Sequence, residues 1–174
     1  MEQKKNVSAR TDIRLAGICG LFCPACTVYI ATMEDPERLK VLAEVSALPL
    51  EKMKCYGCHS EHRIPLAENC KMVKCAREKG INFCYECDEY PCEDLKAFQA
   101  ELPHRIELWK SQDRIREVGY KQWFNEMVEH YSCPQCNTIN SAYDVVCRKC
   151  GATPGCRYVS MHQKEILEHL DKMK

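Results

Sequence analysis

The sequence predicts an α+β chain that is mainly α, a small cysteine-rich helical domain followed by a C-terminal ribbon of short β-hairpins. Three observations predict it. Fifteen of the 174 residues are cysteine, and most stand in pairs two residues apart. In the spacers between the pairs, apolar residues recur at the intervals of one helix face. Four cysteines near the end, Cys133, Cys136, Cys147 and Cys150, read C-x2-C-x10-C-x2-C, a spacing that suits two knuckles carried on a hairpin.

Composition explains why such a chain needs a staple. The 45% hydrophobic fraction includes all fifteen cysteines, so much of the nominally apolar material is committed to sulfur chemistry rather than to packing. Two staples are available to a small core, disulfides and metal ions. The start of the chain has no apolar run of signal-peptide length, and no stretch approaches a membrane span. The expectation is therefore a cytoplasmic protein away from membranes, where thiolates bind metal in preference to crosslinking. A net charge of zero argues against a broad polyanion-binding surface.

Taken in order, residues 1–14 are polar without periodicity and read as a flexible leader. The cysteine-rich helical domain spans 15–130. Within it, 27–33 is a short helix, and Asp35-Pro36 is an N-cap followed by proline at the first helical position. That second helix carries Leu39, Leu42, Ala43 and Val45 on one face. A third begins at 69 or 70 and runs to 79, stopped by Gly80, and a fourth runs from 93 towards 102, interrupted by Pro103. Between 105 and 131 the cysteines vanish, and Ile106, Trp109, Ile115, Val118, Trp123, Phe124, Met127 and Val128 predict two amphipathic helices broken at Gly119. These carry the conventional core, both tryptophans included. Residues 131–159 form the ribbon, with Asn137 and Gly151 placed where a positive φ is demanded. A helix at 160–172, with Ile166, Leu167 and Leu170 as its stripe, closes a last unit of 160–174.

The C-terminal quartet offers four sulfurs to one tetrahedral ion, which predicts structural zinc, with iron in a rubredoxin-like site as the rival. A closed four-sulfur sphere lacks the open position that catalysis at zinc requires. Cys156 is left over and reads as a small buried hydrophobe. Ten more candidate ligands, Cys19, Cys23, Cys26, Cys55, Cys58, Cys70, Cys75, Cys84, Cys87 and Cys92, permit one or two further ions, so two or three in all. Their pairing is open; one arrangement joins Cys55 and Cys58 to Cys84 and Cys87, leaving Cys19, Cys23 and Cys26 to draw a fourth ligand from Cys70, Cys75 or Cys92. Lys54, Lys71, Lys74 and Arg77 stand beside these ligands, where they either offset thiolate charge or are simply solvated helix residues, while Glu86, Asp88 and Glu89 are expected to face water. His59 and His62 are alternative ligands, whereas His104, His130, His162 and His169 read as surface or capping residues.

The spacing Cys19-x3-Cys23-x2-Cys26 resembles the three-cysteine cluster loop of radical S-adenosylmethionine enzymes, which implies an iron–sulfur cluster as the alternative cofactor. Ala25, however, stands where those enzymes carry an aromatic residue, and the strand–helix alternation of their barrel is missing. Cys23-Pro24-Ala25-Cys26 ahead of a helix also suits a redox dithiol. More of the chain resembles another family. The runs Cys19-Gly20-Leu21-Phe22-Cys23-Pro24-Ala25-Cys26, Cys55-Tyr56-Gly57-Cys58, Cys70-Lys71-Met72-Val73-Lys74-Cys75 and Cys84-Tyr85-Glu86-Cys87-Asp88-Glu89-Tyr90-Pro91-Cys92 resemble a prokaryotic cysteine-rich domain family of unknown function, over about residues 15–100. The resemblance implies zinc binding without an assigned reaction, and the C-terminal module is similar to zinc ribbons of many unrelated proteins.

No Ser-His-Asp arrangement, phosphate loop or paired-glycine fingerprint occurs, so the expectation leans away from an enzyme. A non-catalytic zinc module presenting a surface to another protein is the leading reading. Nucleic acid is the secondary partner, resting on ribbon analogy and on Arg148, Lys149 and Arg157. An iron–sulfur redox or catalytic protein and an exchangeable-thiol role in metal delivery or redox sensing are the alternatives.

Overall fold

Short helices joined by cysteine-bearing turns make up the chain in the computed structural model, which describes residues 15–173. The predicted leader at 1–14 lies outside the described residues. The order is α1 (Thr27–Glu34), α2 (Pro36–Val45), α3 (Leu50–Met53), α4 (Pro65–Glu68), α5 (Lys71–Lys79), α6 (Glu93–Ala100), α7 (Leu108–Val118), α8 (Tyr120–Tyr131), α9 (Arg157–Met161) and α10 (Gln163–Lys172). Three-residue 3-10 turns occupy Cys23–Ala25, Cys84–Glu86 and Pro103–Arg105. None of the described helices is long and apolar enough to cross a membrane.

Local chemistry sets the helix ends. Asp35 caps α2 by accepting the Arg38 N–H at 3.0 Å, with Pro36 at the first helical position. Gly80 ends α5 at φ 66°, and Gly119 at φ 79° separates α7 from α8. The expected C-terminal helix is split at His162 into α9 and α10. Two positions assigned to apolar stripes face solvent instead: Val45 is 81% exposed and Leu167 40% exposed.

The main core assembles Phe22, Ile115, Trp123, Phe124, Tyr131, Tyr158 and Ile166, so residues from both ends of the chain meet around α8. Phe22 stacks on Tyr131 at 5.7 Å and meets Trp123 edge-on at 5.9 Å, and Tyr131 stacks on Tyr158 at 5.1 Å. A second cluster gathers Ile18, Cys19, Met72, Val73, Ala76, Leu95 and Leu108, with Cys58, Cys70, Cys84 and Cys92 packed against it. Between the two runs a buried polar seam on α7. Gln112 accepts the Tyr85 N–H at 2.9 Å and donates to the Ile18 carbonyl at 3.0 Å. Ser111 donates to the Gly20 carbonyl at 2.7 Å while accepting the Trp123 indole N–H at 2.8 Å. Gly20 sits at φ 95°, and a Cβ there would meet Gln112 at 2.9 Å, so this contact requires glycine. Ser111→Ala strands two buried polar groups and is expected to cost about 2 kcal/mol, read as a lower urea midpoint at unchanged slope.

The ribbon of β-hairpins is corrected. Among the described residues there is no sheet, and pairing outside helices is confined to isolated bridges at Ala16 with Phe22 and Ser132 with Ile139. The fold is mainly α, without the β component that the α+β reading expected. The ten-residue spacer explains why. Instead of extending as two strands it closes on itself, with the Ser141 N–H bound to the Asp144 carboxylate at 2.7 Å and the Asp144 N–H to the Ser141 carbonyl at 3.1 Å. The Asn140 side chain, not a partner strand, then satisfies the Thr138 and Gly155 carbonyls at 3.0 and 2.7 Å.

Candidate metal centre

Two near-identical turns present the C-terminal sulfurs. In the first, Cys133 donates its N–H to the Thr138 carbonyl at 2.8 Å and Asn137 returns one to the Cys133 carbonyl at 2.9 Å. In the second, Cys147 bonds to Ala152 at 2.8 Å and Gly151 returns to Cys147 at 3.0 Å. Asn137 at φ 57° and Gly151 at φ 75° adopt the left-handed conformation that each turn needs. Asp144 accepts from Arg38 of α2 at 3.0 Å, and Arg148 is ion-paired to Glu34 of α1. Gly155 completes the closure, since a Cβ there would lie 2.0 Å from the Asp144 carbonyl oxygen.

All four sulfurs of Cys133, Cys136, Cys147 and Cys150 lie within 4.8 Å of one another, and the group can hold a metal ion. The Cys133–Cys150 and Cys136–Cys147 sulfur separations are 3.6 and 3.7 Å. Sulfurs about 2.3 Å from a central ion define a tetrahedron with edges of about 3.8 Å, so the cage already has the dimensions of a four-thiolate site. Two of the thiols, Cys147 and Cys136, are dressed to lose their protons. Burial pushes Cys147 up, yet the amides of Cys150 and Lys149, the Asn140 amide and the Cys133 thiol outweigh it and bring Cys147 down to about 6. Thr138 lowers Cys136 through its hydroxyl and its amide. The Ala152 amide also favours a Cys150 thiolate, but proton sharing with Cys136 and Cys133 pushes Cys150 up to about 12.

Asn140 is the residue that sequence reasoning missed. Fully buried, it donates to Cys147 Sγ at 3.5 Å and accepts the Arg148 N–H at 3.0 Å, linking both turns through one side chain. Its only sequence signal is its place between the two pairs. Asn140→Ala is expected to weaken metal binding by about 10- to 100-fold, measured by competition with a chromophoric chelator.

The ten N-terminal sulfurs are arranged more loosely, and none of the fifteen cysteines is crosslinked. Cys58 meets Cys23, whose thiol pulls it down to about 7, rather than being drawn into a four-sulfur cage with Cys84 and Cys87. Cys19 has Cys58, Cys84 and Cys70 as neighbours, and Cys84 has Cys92, Cys75, Cys70 and Cys87. The basic residues differ from those expected. Lys54 pairs with Glu51 at 2.9 Å and Lys71 with Asp94 at 2.7 Å, whereas Lys79 donates to Cys87 Sγ at 3.1 Å and to Glu89 at 2.7 Å. Glu86 accepts the Asn82 N–H at 3.0 Å. Cys156 is fully buried in the main core, as its reading as a small hydrophobe requires.

The fold and this cage define a class, a helical cysteine-rich protein with a site competent to hold a metal ion. Residues 15–97 match the model of a family described as a protein of unknown function (DUF3795). That match covers α1 to α5, part of α6 and all ten N-terminal cysteines, and it ends before the quartet. No curated protein and no solved structure matches the chain.

Proposed function

We propose that the chain is a zinc protein whose quartet is a closed structural site and whose surface serves a protein partner rather than a reaction. The observation that carries this reading is the quartet itself: four thiols at tetrahedral edge lengths, each on a short turn, with amide donors aimed at sulfur. A sphere filled by four thiolates leaves no position for substrate or water, so the ion serves architecture. Placing the ion there fixes the segment that carries Asp144 and Arg148, and through them the α1–α2 pair. A protein partner suits the net charge of zero better than nucleic acid does. Arg148, one of three basic residues near the quartet, is already committed to Glu34. The reading places the protein in a reducing compartment such as the cytoplasm.

Elemental analysis and a visible spectrum on protein purified without oxygen test the metal. Zinc in a colourless protein, with at least one equivalent lost in Cys136→Ser, is the expected result. Iron with stoichiometric sulfide would favour instead a cluster at Cys19, Cys23 and Cys26.

A further inference from the structure

Outside the quartet, the segment 54–64 poses a physical problem. It has no helix or strand, and Gly57 is its sole buried residue. Its packing runs through Cys58, Ile64 and the His59 ring on Phe83, few apolar anchors for a loop of this length. It is also held against α1, because the Cys55 N–H donates at 3.1 Å to Thr32 Oγ1, which itself donates to the Val28 carbonyl in the first turn at 2.8 Å. Arg63 folds back over the loop and donates to the Cys58 carbonyl at 3.0 Å. The Tyr56 N–H bonds to the His62 carbonyl at 3.1 Å, closing the loop at its base.

What this arrangement brings together is a second pair of C-x2-C turns, Cys23-Pro24-Ala25-Cys26 and Cys55-Tyr56-Gly57-Cys58. The Cys23 and Cys58 thiols are hydrogen-bonded to each other, and Cys26 neighbours Cys23, Cys55 and Cys58. The amide dressing of the quartet recurs. The Cys58 thiol and burial push Cys23 up and burial pushes Cys26 up, while the Cys58 amide on Cys23, the Tyr29 and Val28 amides on Cys26 and the Ile18 amide on Cys58 act the other way. Arg63 adds a positive charge beside Cys58, where it offsets the charge of minus two that four thiolates place around a divalent ion.

We infer that Cys23, Cys26, Cys55 and Cys58 form a second metal site, taking one thiophilic divalent cation of the zinc class and fastening the segment 54–64 onto the start of α1. The sulfurs of this site are in partial contact, and the ion draws Cys26 and Cys55 in to complete the tetrahedron. Binding replaces the proton shared by Cys23 and Cys58, and each remaining thiol proton is released to solvent as its Zn–S bond forms. Cys19 also neighbours Cys58, together with Cys84 and Cys70, and is the sulfur that competes with the four for the ion. The inference goes beyond the proposed function, because it uses different sulfurs and stands or falls independently of the quartet.

The test is a zinc count on the full reduced chain, made after thiol blockage in denaturant, for wild type, Cys26→Ser, Cys55→Ser, their double variant and Cys136→Ser. Cys26→Ser and Cys55→Ser are each expected to lose one equivalent, and the double variant the same single equivalent, because both ligate one ion. Cys136→Ser, which is expected to lose the cooperative fold, is the control: a loss in Cys26→Ser or Cys55→Ser as large as its own would mark general unfolding and pass the decision to the alkylation below. Unchanged counts in Cys26→Ser and Cys55→Ser, or loss of two equivalents in the double variant, would overturn the assignment. Should the variants fail to fold, alkylation of the zinc-loaded wild type decides. Cys23, Cys26, Cys55 and Cys58 are expected to become reactive together as a chelator is titrated in. Reaction of Cys55 or Cys26 ahead of the other three by tenfold or more would refute a shared ion.

Discussion

Cys136→Ser, or chelation of the ion-loaded chain under reducing conditions, is expected to abolish the cooperative thermal transition followed by near-ultraviolet circular dichroism. The quartet is where this effect should be largest, for two reasons. Structural zinc contributes about 10 kcal/mol or more of apparent folding free energy at neutral pH, whereas a whole domain is stable by about 5 to 15 kcal/mol. The quartet is also wired into the main core. Tyr131 stands two residues before Cys133, and Ala142 and Cys156, on either side of the second turn, pack in the same cluster as Trp123 and Tyr158. An ion-free cage leaves four thiols within 4.8 Å and only protons to share between them. The aromatic signal of Tyr131, Tyr158 and Trp123 should therefore weaken as the ion leaves. An unchanged melting curve in both treatments would show that packing alone holds the fold, and the structural role of the ion would be lost with it.

The quartet was legible because a C-x2-C pair fixes a turn locally: the residues that set its geometry, Asn137 and Gly151, lie in the same few positions. The same holds for α5, α7 and α8, whose ends are marked by Gly80 and Gly119 and whose buried faces follow the helical period. The spacer between the two pairs was not legible. Its length permits a hairpin, but whether it pairs as strands or closes as a capped turn depends on Asp144 and Asn140, polar residues that a periodicity search assigns to the surface. Ser111 and Gln112 were hidden in the same way, since both are polar and both are buried where they meet carbonyls about ninety residues earlier in the chain. The contacts among the N-terminal sulfurs depend on a tertiary bond, from Cys55 to Thr32, that spacing does not encode.

The histidines carry the same lesson and the second large effect. His130 and His162 were expected at the surface or as caps, but both face Glu107, at 2.8 and 3.2 Å. Glu107 precedes α7, His130 lies near the end of α8, and His162 separates α9 from α10, so one carboxylate ties three parts of the helical core. Tyr158 packs against both rings, at 5.7 and 4.7 Å. Burial pushes the Glu107 carboxyl up, but the hydrogen bonds and charge of His130, the hydrogen bond of His162 and the charge of Lys110 outweigh it and hold it at about 2. Because this value lies below the ordinary 4.5, the carboxylate contributes stability that is fully present above pH 4.5 and is lost as pH falls towards 2. Glu107→Gln removes the charge while keeping the shape, leaving two buried rings without their anion. It is expected to cost about 2 kcal/mol at neutral pH, because two buried rings lose a charged hydrogen-bond partner. The difference between wild type and variant in urea-unfolding free energy should shrink across that acid window, as protonation gives the wild type the same neutral side chain. A difference that stayed constant down to pH 2 would mean that Glu107 acts through packing and not through its charge.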